Sequence, residues 1–254
     1  MLDDIGWPDI AAPLFFILVW CGYVAFADLP RRGRNTLMAR MHQYRQAWMR
    51  RMLVRDNRIV DTQIVSLLVQ NISFFASSTI LIVGGLAAVM GAREQAMSVL
   101  AEIPLIAPTS PVLWDMKILL LILVFVYAFF KFTWSLRQFN YVAILIGSAP
   151  ILDRVQEPGP EALDFADRSA RVASRAADHF NRAMRAYYFG LAALSWFIQP
   201  YLFILLTAWV AVVVYRREFR SRTVELLGTV DAPIGGEPIV RPVPADPATV
   251  TPRR

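Results

Sequence analysis

From Gln63 to Gly91 the chain runs 29 residues without a charged side chain. As a helix this stretch is about 44 Å long, against about 30 Å for the hydrocarbon core of a bilayer. It reads as one membrane-spanning helix. At about 100° per residue, Gln63, Ser66, Gln70, Ser73 and Ser77 fall within about 80° of arc. The same line then turns small, at Gly84, Ala88 and Gly91. Lipid cannot hydrogen-bond amides and hydroxyls, so this stripe is expected to face other helices or a wet cavity. The small residues would let a neighbouring backbone come close. Either helix packing or a polar pathway or ligand pocket accounts for the pattern.

Three more segments are apolar enough to span, near residues 9–28, 112–134 and 187–215. Hydrophobic residues make up 56% of the chain and its mean hydropathy is +0.44; soluble domains are about 45–50% apolar. The expected fold is all-α, a four-span membrane helical bundle over residues 1–228. The Pro-rich tail 229–254 is expected to be disordered. Asp3, Asp4 and Asp9 precede the first apolar segment, and cations follow it. That order predicts no cleavable signal and an N-terminus outside the cytoplasm. The location expected from this is a bacterial inner membrane.

Arg31 to Arg58 holds nine arginines and one aspartate. Within it Leu37, Met38, Met41, Tyr44, Trp48, Met49 and Met52 recur at helical spacing, with Asn35 or Thr36 as N-cap. One reading is an amphipathic surface helix over 35–54, with Arg40, Arg45, Trp48, Arg50 and Arg51 meeting anionic lipid or a partner. The other is a helix packed on its own protein. The third span continues past Lys131, and a helix from Glu161 feeds into the fourth. Together they predict a cytoplasmic helical hairpin over 135–186. Pro200 is expected to kink the fourth span.

The charges conflict over topology. Seventeen cations in Arg31–Arg58 and Lys131–Arg185 favour an outside N-terminus. Four spans would then export Arg216, Arg217, Arg220 and Arg222. A re-entrant fourth segment is the alternative; 29 residues are too few for two crossings.

No chemistry stands out. The chain has no HExxH, CxxC, P-loop, GxGxxG or GxSxG, so no catalytic, cofactor or metal site is expected. His42 and His179 fall in charged helices. Lys117, Asp115 and Lys131 lie near the ends of the third span and can snorkel. The arginines lie between spans, where membrane topology explains them without nucleic acid.

Three runs, QIVSLLVQNISFFASSTILIVGGLAAVMG, SLRQFNYVAILIGSAP and NRAMRAYYFGLAALSWFIQPYLFILLTAWVAVVVYRREF, carry a resemblance. The chain resembles the domain-of-unknown-function family numbered 599, found in proteobacteria and plants, from about Phe15 to Ser221. The resemblance implies a multi-spanning membrane protein and no particular activity. The expected role is a non-enzymatic membrane interaction, scaffold or assembly factor, with anionic lipids and a membrane-protein partner or second copy as binding partners. The alternative is a channel-like, transporter-like or lipid-handling protein using the polar stripe.

Overall fold

A computed structural model describes residues 6–28, 36–102, 109–152, 158–220 and 222–227. Among these the regular structure is helical, and no strand occurs. In chain order the helices are α1 (Trp7–Asp28), α2 (Leu37–Met52), α3 (Ile59–Gly91), α4 (Arg93–Ala101), α5 (Pro111–Ser148), α6 (Pro160–Leu194), α7 (Pro200–Phe219) and α8 (Arg222–Leu226). A 3-10 turn, Ser195–Phe197, separates α6 from α7. The tail expected to be disordered, and Asn35 as N-cap, lie outside the described residues.

Local chemistry sets the helix starts. The Thr36 hydroxyl accepts from the Ala39 N–H at 3.2 Å to cap α2. The Asn57 side chain accepts from the Ile59 N–H at 2.8 Å at the entry to α3. Pro111, Pro160 and Pro200 each occupy the first position of a helix, where a missing N–H costs nothing.

Three helices are long and apolar enough to cross a membrane: α1, α3 and α5. The chain divides into two compact units. Unit 1 holds residues 1–31, 67–137 and 176–214; unit 2 holds 32–66, 138–175 and 215–254.

The fourth apolar segment differs from the expected single kinked span. In unit 1, Phe16 of α1 packs against Phe189 of α6 at 5.9 Å and against Phe203 of α7 at 5.2 Å. Fourteen residues of straight helix would hold Phe189 and Phe203 about 21 Å apart. The chain therefore turns back between them. Pro200 is the physical reason: it cannot donate to the carbonyl four residues earlier and its ring clashes there. Instead of bending one helix, it opens a new one. The chain leaves unit 2 after Arg175 and re-enters it at Tyr215. The helix before the turn, α6, begins well before the apolar segment, at Pro160. Ala176 to Leu194 and Pro200 to Phe219 each supply about 30 Å of helix.

One side of α6 is enclosed by the protein. Ala176, Ala183, Ala186, Phe189, Ala192 and Ala193 are all buried, so protein rather than lipid surrounds much of it. The closest approach is at Gly190, where an added Cβ would stand 3.0 Å from Phe125 Cζ and 3.4 Å from Val124 Cγ1. Nearby, Phe75 stacks on Phe132 at 5.7 Å, and Phe180, Phe125 and Tyr187 close the cluster. The Tyr187 and Thr79 hydroxyls are 2.6 Å apart, and Tyr187 also donates to the Phe75 carbonyl at 3.2 Å. Both hydroxyls are thereby satisfied within the helix bundle of unit 1.

Unit 1 exposes many large apolar side chains. Leu18, Leu81, Phe130, Leu205 and Trp209 are all more than half exposed. A solvated monomer rarely shows such continuous apolar cover; a lipid-facing one requires it.

Unit 2 is built on α2. Ala47, Met49, Met52 and Leu53 are buried, so its apolar face packs on the protein itself. The Tyr44 hydroxyl donates to the Leu227 carbonyl, which ties the C-terminal α8 to α2.

Candidate functional site

The stripe on α3 faces outward. In unit 2, Gln63 and Ser66 are exposed; in unit 1, Gln70 and Ser77 are exposed and Ser73 is half-buried. The face that α3 buries carries Val65, Ile72, Ala76 and Thr79, on the other side of the helix. Of the five stripe residues none is buried among the described residues. The small residues behave alike: Gly84, Ala88 and Gly91 are exposed, and a Cβ added at Gly84 or Gly91 would meet nothing within 4 Å. The residue that does need to be glycine, Gly190, was not singled out from the sequence. Its signal is a lone glycine in an Ala-rich helix turn, visible only once a partner helix is placed beside it.

At the end of α3, Gly91 borders a shallow open cavity of about 520 Å³ with Met90, Arg93, Glu94, Gln95 and Asp115. Arg93 pairs with Asp115 across it at 2.8 Å. Deeper in unit 1, Lys117 is 2% exposed and does not snorkel. Its Nζ donates to the Thr109 hydroxyl at 3.2 Å and lies 5.6 Å over the Trp196 ring. The Trp196 indole N–H in turn donates to Asp9 at 3.1 Å. A buried ammonium and indole and a half-buried carboxylate thus lie beside the α6–α7 reversal.

The basic helix turns out to be heavily engaged in unit 2. Arg50 grips Asp167 through two hydrogen bonds, at 2.8 and 2.7 Å. The Trp48 indole N–H donates to Asp61 at 2.6 Å, and Arg55 donates to the same oxygen. Asp61 is fully buried. His42 Nδ1 lies 2.8 Å from the Ser174 hydroxyl. Arg58 donates to the carbonyls of Ile146, Ala149 and Pro150 at 3.1, 2.7 and 2.7 Å, closing the C-terminus of α5. Of the arginines singled out for lipid, Arg40, Arg45 and Arg50 are partly covered and Arg51 is exposed. Arg171, Arg175, Arg216, Arg217, Arg220 and Arg222 add exposed cations to the same unit.

The Arg50–Asp167 pair has a pH signature. Arg50's hydrogen bonds hold the Asp167 carboxyl below its ordinary range, and the carboxylate raises the Arg50 guanidinium in turn. A carboxyl with a folded pKa below its unfolded value of about 3.9 adds stability above that value, and loses it as pH falls through the folded one. Asp167→Asn should cost about 1–3 kcal/mol at neutral pH. The gap between the two melting curves should close below about pH 4. Thermal melts in detergent across that range check it; a gap independent of pH would show that Asp167 acts by shape alone.

Among the described residues no three of His, Cys, Asp and Glu gather as metal ligands. A family model described as protein of unknown function, DUF599, matches residues 10–223. No curated protein and no solved structure matches the chain.

Proposed function

We propose a role for this chain, which belongs to the DUF599 family, from its own geometry: a non-enzymatic membrane interaction or assembly factor that presents a basic face at the cytoplasmic surface of a bacterial inner membrane. Five helices would cross: α1, α3, α5, the second half of α6, and α7. The N-terminus would lie outside and the C-terminus inside. The observation that carries this is the return of the chain to unit 2 at Tyr215. Arg216, Arg217, Arg220 and Arg222 then share a unit with the arginines of Arg32–Arg58, and the charge conflict of a four-span chain disappears.

This reading gives the protein no catalytic role. Its polar side chains in unit 2 are spent on each other: Arg50 on Asp167, Trp48 and Arg55 on Asp61, Arg58 on helix carbonyls. The transporter-like alternative is weakened by the outward stripe, since a conduit within one protomer would need those residues inside. The exposed arginines suit anionic lipid headgroups, at about 1 kcal/mol per cation near the surface.

The test is lipid retention by the full chain in nanodiscs of neutral or anionic lipid, read by native mass spectrometry. Arg51→Gln with Arg216→Gln and Arg220→Gln should lower anionic-lipid retention about tenfold or more. Arg50→Gln should instead lower the melting temperature, because Asp167 already holds that guanidinium. Equal retention of neutral and anionic lipid by the unsubstituted chain would remove the lipid part of the proposal. A stoichiometric foreign subunit carried out of native membranes would support the assembly role.

A further inference from the structure

We infer that the outward face of α3 in unit 1 is the contact between two copies of this chain, paired side by side in the membrane about a two-fold axis. The inference rests on the reading of α3 as a membrane-spanning helix. Gln70 and Ser77 are exposed and Ser73 is half-exposed, and among the described residues none of their side chains has a hydrogen-bond partner. The contrast with the next two hydroxyls is direct: Ser78 donates to the Phe74 carbonyl at 2.8 Å and Thr79 to the Phe75 carbonyl at 2.6 Å. Those two are satisfied by the helix itself. Gln70 has no comparable route, and an amide in hydrocarbon without a partner is costly. Large apolar side chains such as Leu18, Leu81, Phe130 and Leu205 also lie on the surface of unit 1, where lipid suits them, and Asn71 is a further exposed amide beside Gln70.

The chemistry of the face selects its occupant. A primary amide and a hydroxyl each donate and accept, so the row Gln70, Ser73, Ser77 is complementary to itself. Copies inserted in one membrane share one orientation, so their α3 helices run parallel. A two-fold axis between parallel helices sets each residue opposite its own counterpart, Gln70 against Gln70 and Ser77 against Ser77. Such a contact needs the backbones close together. Gly84 and Ala88, four residues apart on the same face, allow it in the manner of small-xxx-small pairs. A Cβ added at Gly84, Gly85 or Gly91 meets nothing within 4 Å, so the space beside the helix is open within one copy.

The experiment is cysteine cross-linking of the full chain in native membranes. Cys21 is exposed and is first replaced by alanine. Single cysteines are then placed at Ser73, at Ser77 and, as a control, at Leu205, an exposed apolar position on α7. Copper-phenanthroline oxidation should yield a band at twice the chain mass from Ser77→Cys and little from Leu205→Cys. Adding Gln70→Leu should lower that band about threefold to thirtyfold. Gly84→Leu should lower it as well, while leaving the melting temperature of the detergent-separated monomer unchanged. Membranes are washed in carbonate and fractionated in parallel. A chain that stays in the membrane and forms no self-linked band from Ser73→Cys or Ser77→Cys overturns the pairing and leaves the membrane reading standing. A linked product with a different polypeptide also overturns it. A chain recovered in the soluble fraction overturns both.

Discussion

Gly190→Leu should abolish the folded protein. The position has no room: even a Cβ there stands 3.0 Å from Phe125 Cζ and 3.3 Å from its Cε2. Leucine adds three carbons beyond that atom. Phe125 is itself 3% exposed and in edge contact with Tyr187 at 5.2 Å, so it cannot swing away without disturbing the Tyr187–Thr79 hydroxyl pair. Overpacking a dense core costs about 1–3 kcal/mol in ordinary cases and more where neighbours are trapped. Here the expected cost is at the upper end, about 3 kcal/mol or beyond. It should appear as loss of monodisperse protein after detergent extraction. Gly190→Ala is the milder test, because the ring edge of Phe125 has only to give by a few tenths of an ångström. Combining Gly190→Ala with Phe125→Leu should recover stability, since the leucine vacates the point of contact. Tolerance of Gly190→Leu at full yield would mean that α5 and α6 do not pack as described. The equivalent change at Gly84 should leave the protomer intact, and the contrast between the two glycines is itself diagnostic.

Asp61→Ala should be the most damaging single change in unit 2. Asp61 is fully buried yet lies in the first turn of α3, where a carboxylate is favoured by the helix dipole. One of its oxygens receives both the Trp48 indole at 2.6 Å and the Arg55 guanidinium. Alanine removes the acceptor and leaves a part-buried indole N–H unpaired, with a cavity beside it. Charged hydrogen bonds of this kind contribute about 1.5–3 kcal/mol each. Arg55 is 40% exposed on its side chain and can turn to water, so its share is discounted. The expected loss is about 2–4 kcal/mol. Asp61→Asn should cost roughly half as much, because the amide oxygen still accepts from the indole. Thermal melts in detergent measure both; Trp48 emission should shift to the red in the alanine variant, as α2 loosens from the start of α3. Equal costs for alanine and asparagine would show that charge, and not the indole bond, is what Asp61 supplies.

Much of this architecture could be read from the residues because lipid imposes a simple rule. α1, α3 and α5 are uncharged for most of their length, and such runs leave few alternatives. Thr36 as the cap of α2 was legible for a similar reason: hydroxyl before an apolar-periodic run has one common use. What escaped was whatever depended on a neighbour. α6 looked soluble because it carries Asp178, Arg182 and Arg185, but enclosure by other helices removes the need for an apolar circumference. Pro200 looked like a kink because a proline within an apolar run reads the same whether the chain bends or turns back. Phe16 meeting both Phe189 and Phe203 decides between them. Lys117 looked free to snorkel until Thr109, Trp196 and Asp9 were placed around it. The basic segment offered the same ambiguity: a helix that lies on lipid and one that lies on its own protein need the same alternation of Met and Arg. The burial of Met49 and Met52, with Arg50 held by Asp167, decides that its apolar face is internal.

The chain reverses at Ser195–Gln199, and its C-terminal arginines return to the unit that holds the basic helix. Single cysteines at Gln43, Gln199 and Arg220, each in a Cys21→Ala chain, should be tested in sealed vesicles with a membrane-impermeant maleimide. The account predicts that Gln43→Cys and Arg220→Cys label from the same side of the membrane and Gln199→Cys from the other. Labelling of Arg220→Cys from the side opposite Gln43→Cys would contradict it and restore a fourth helix that crosses once.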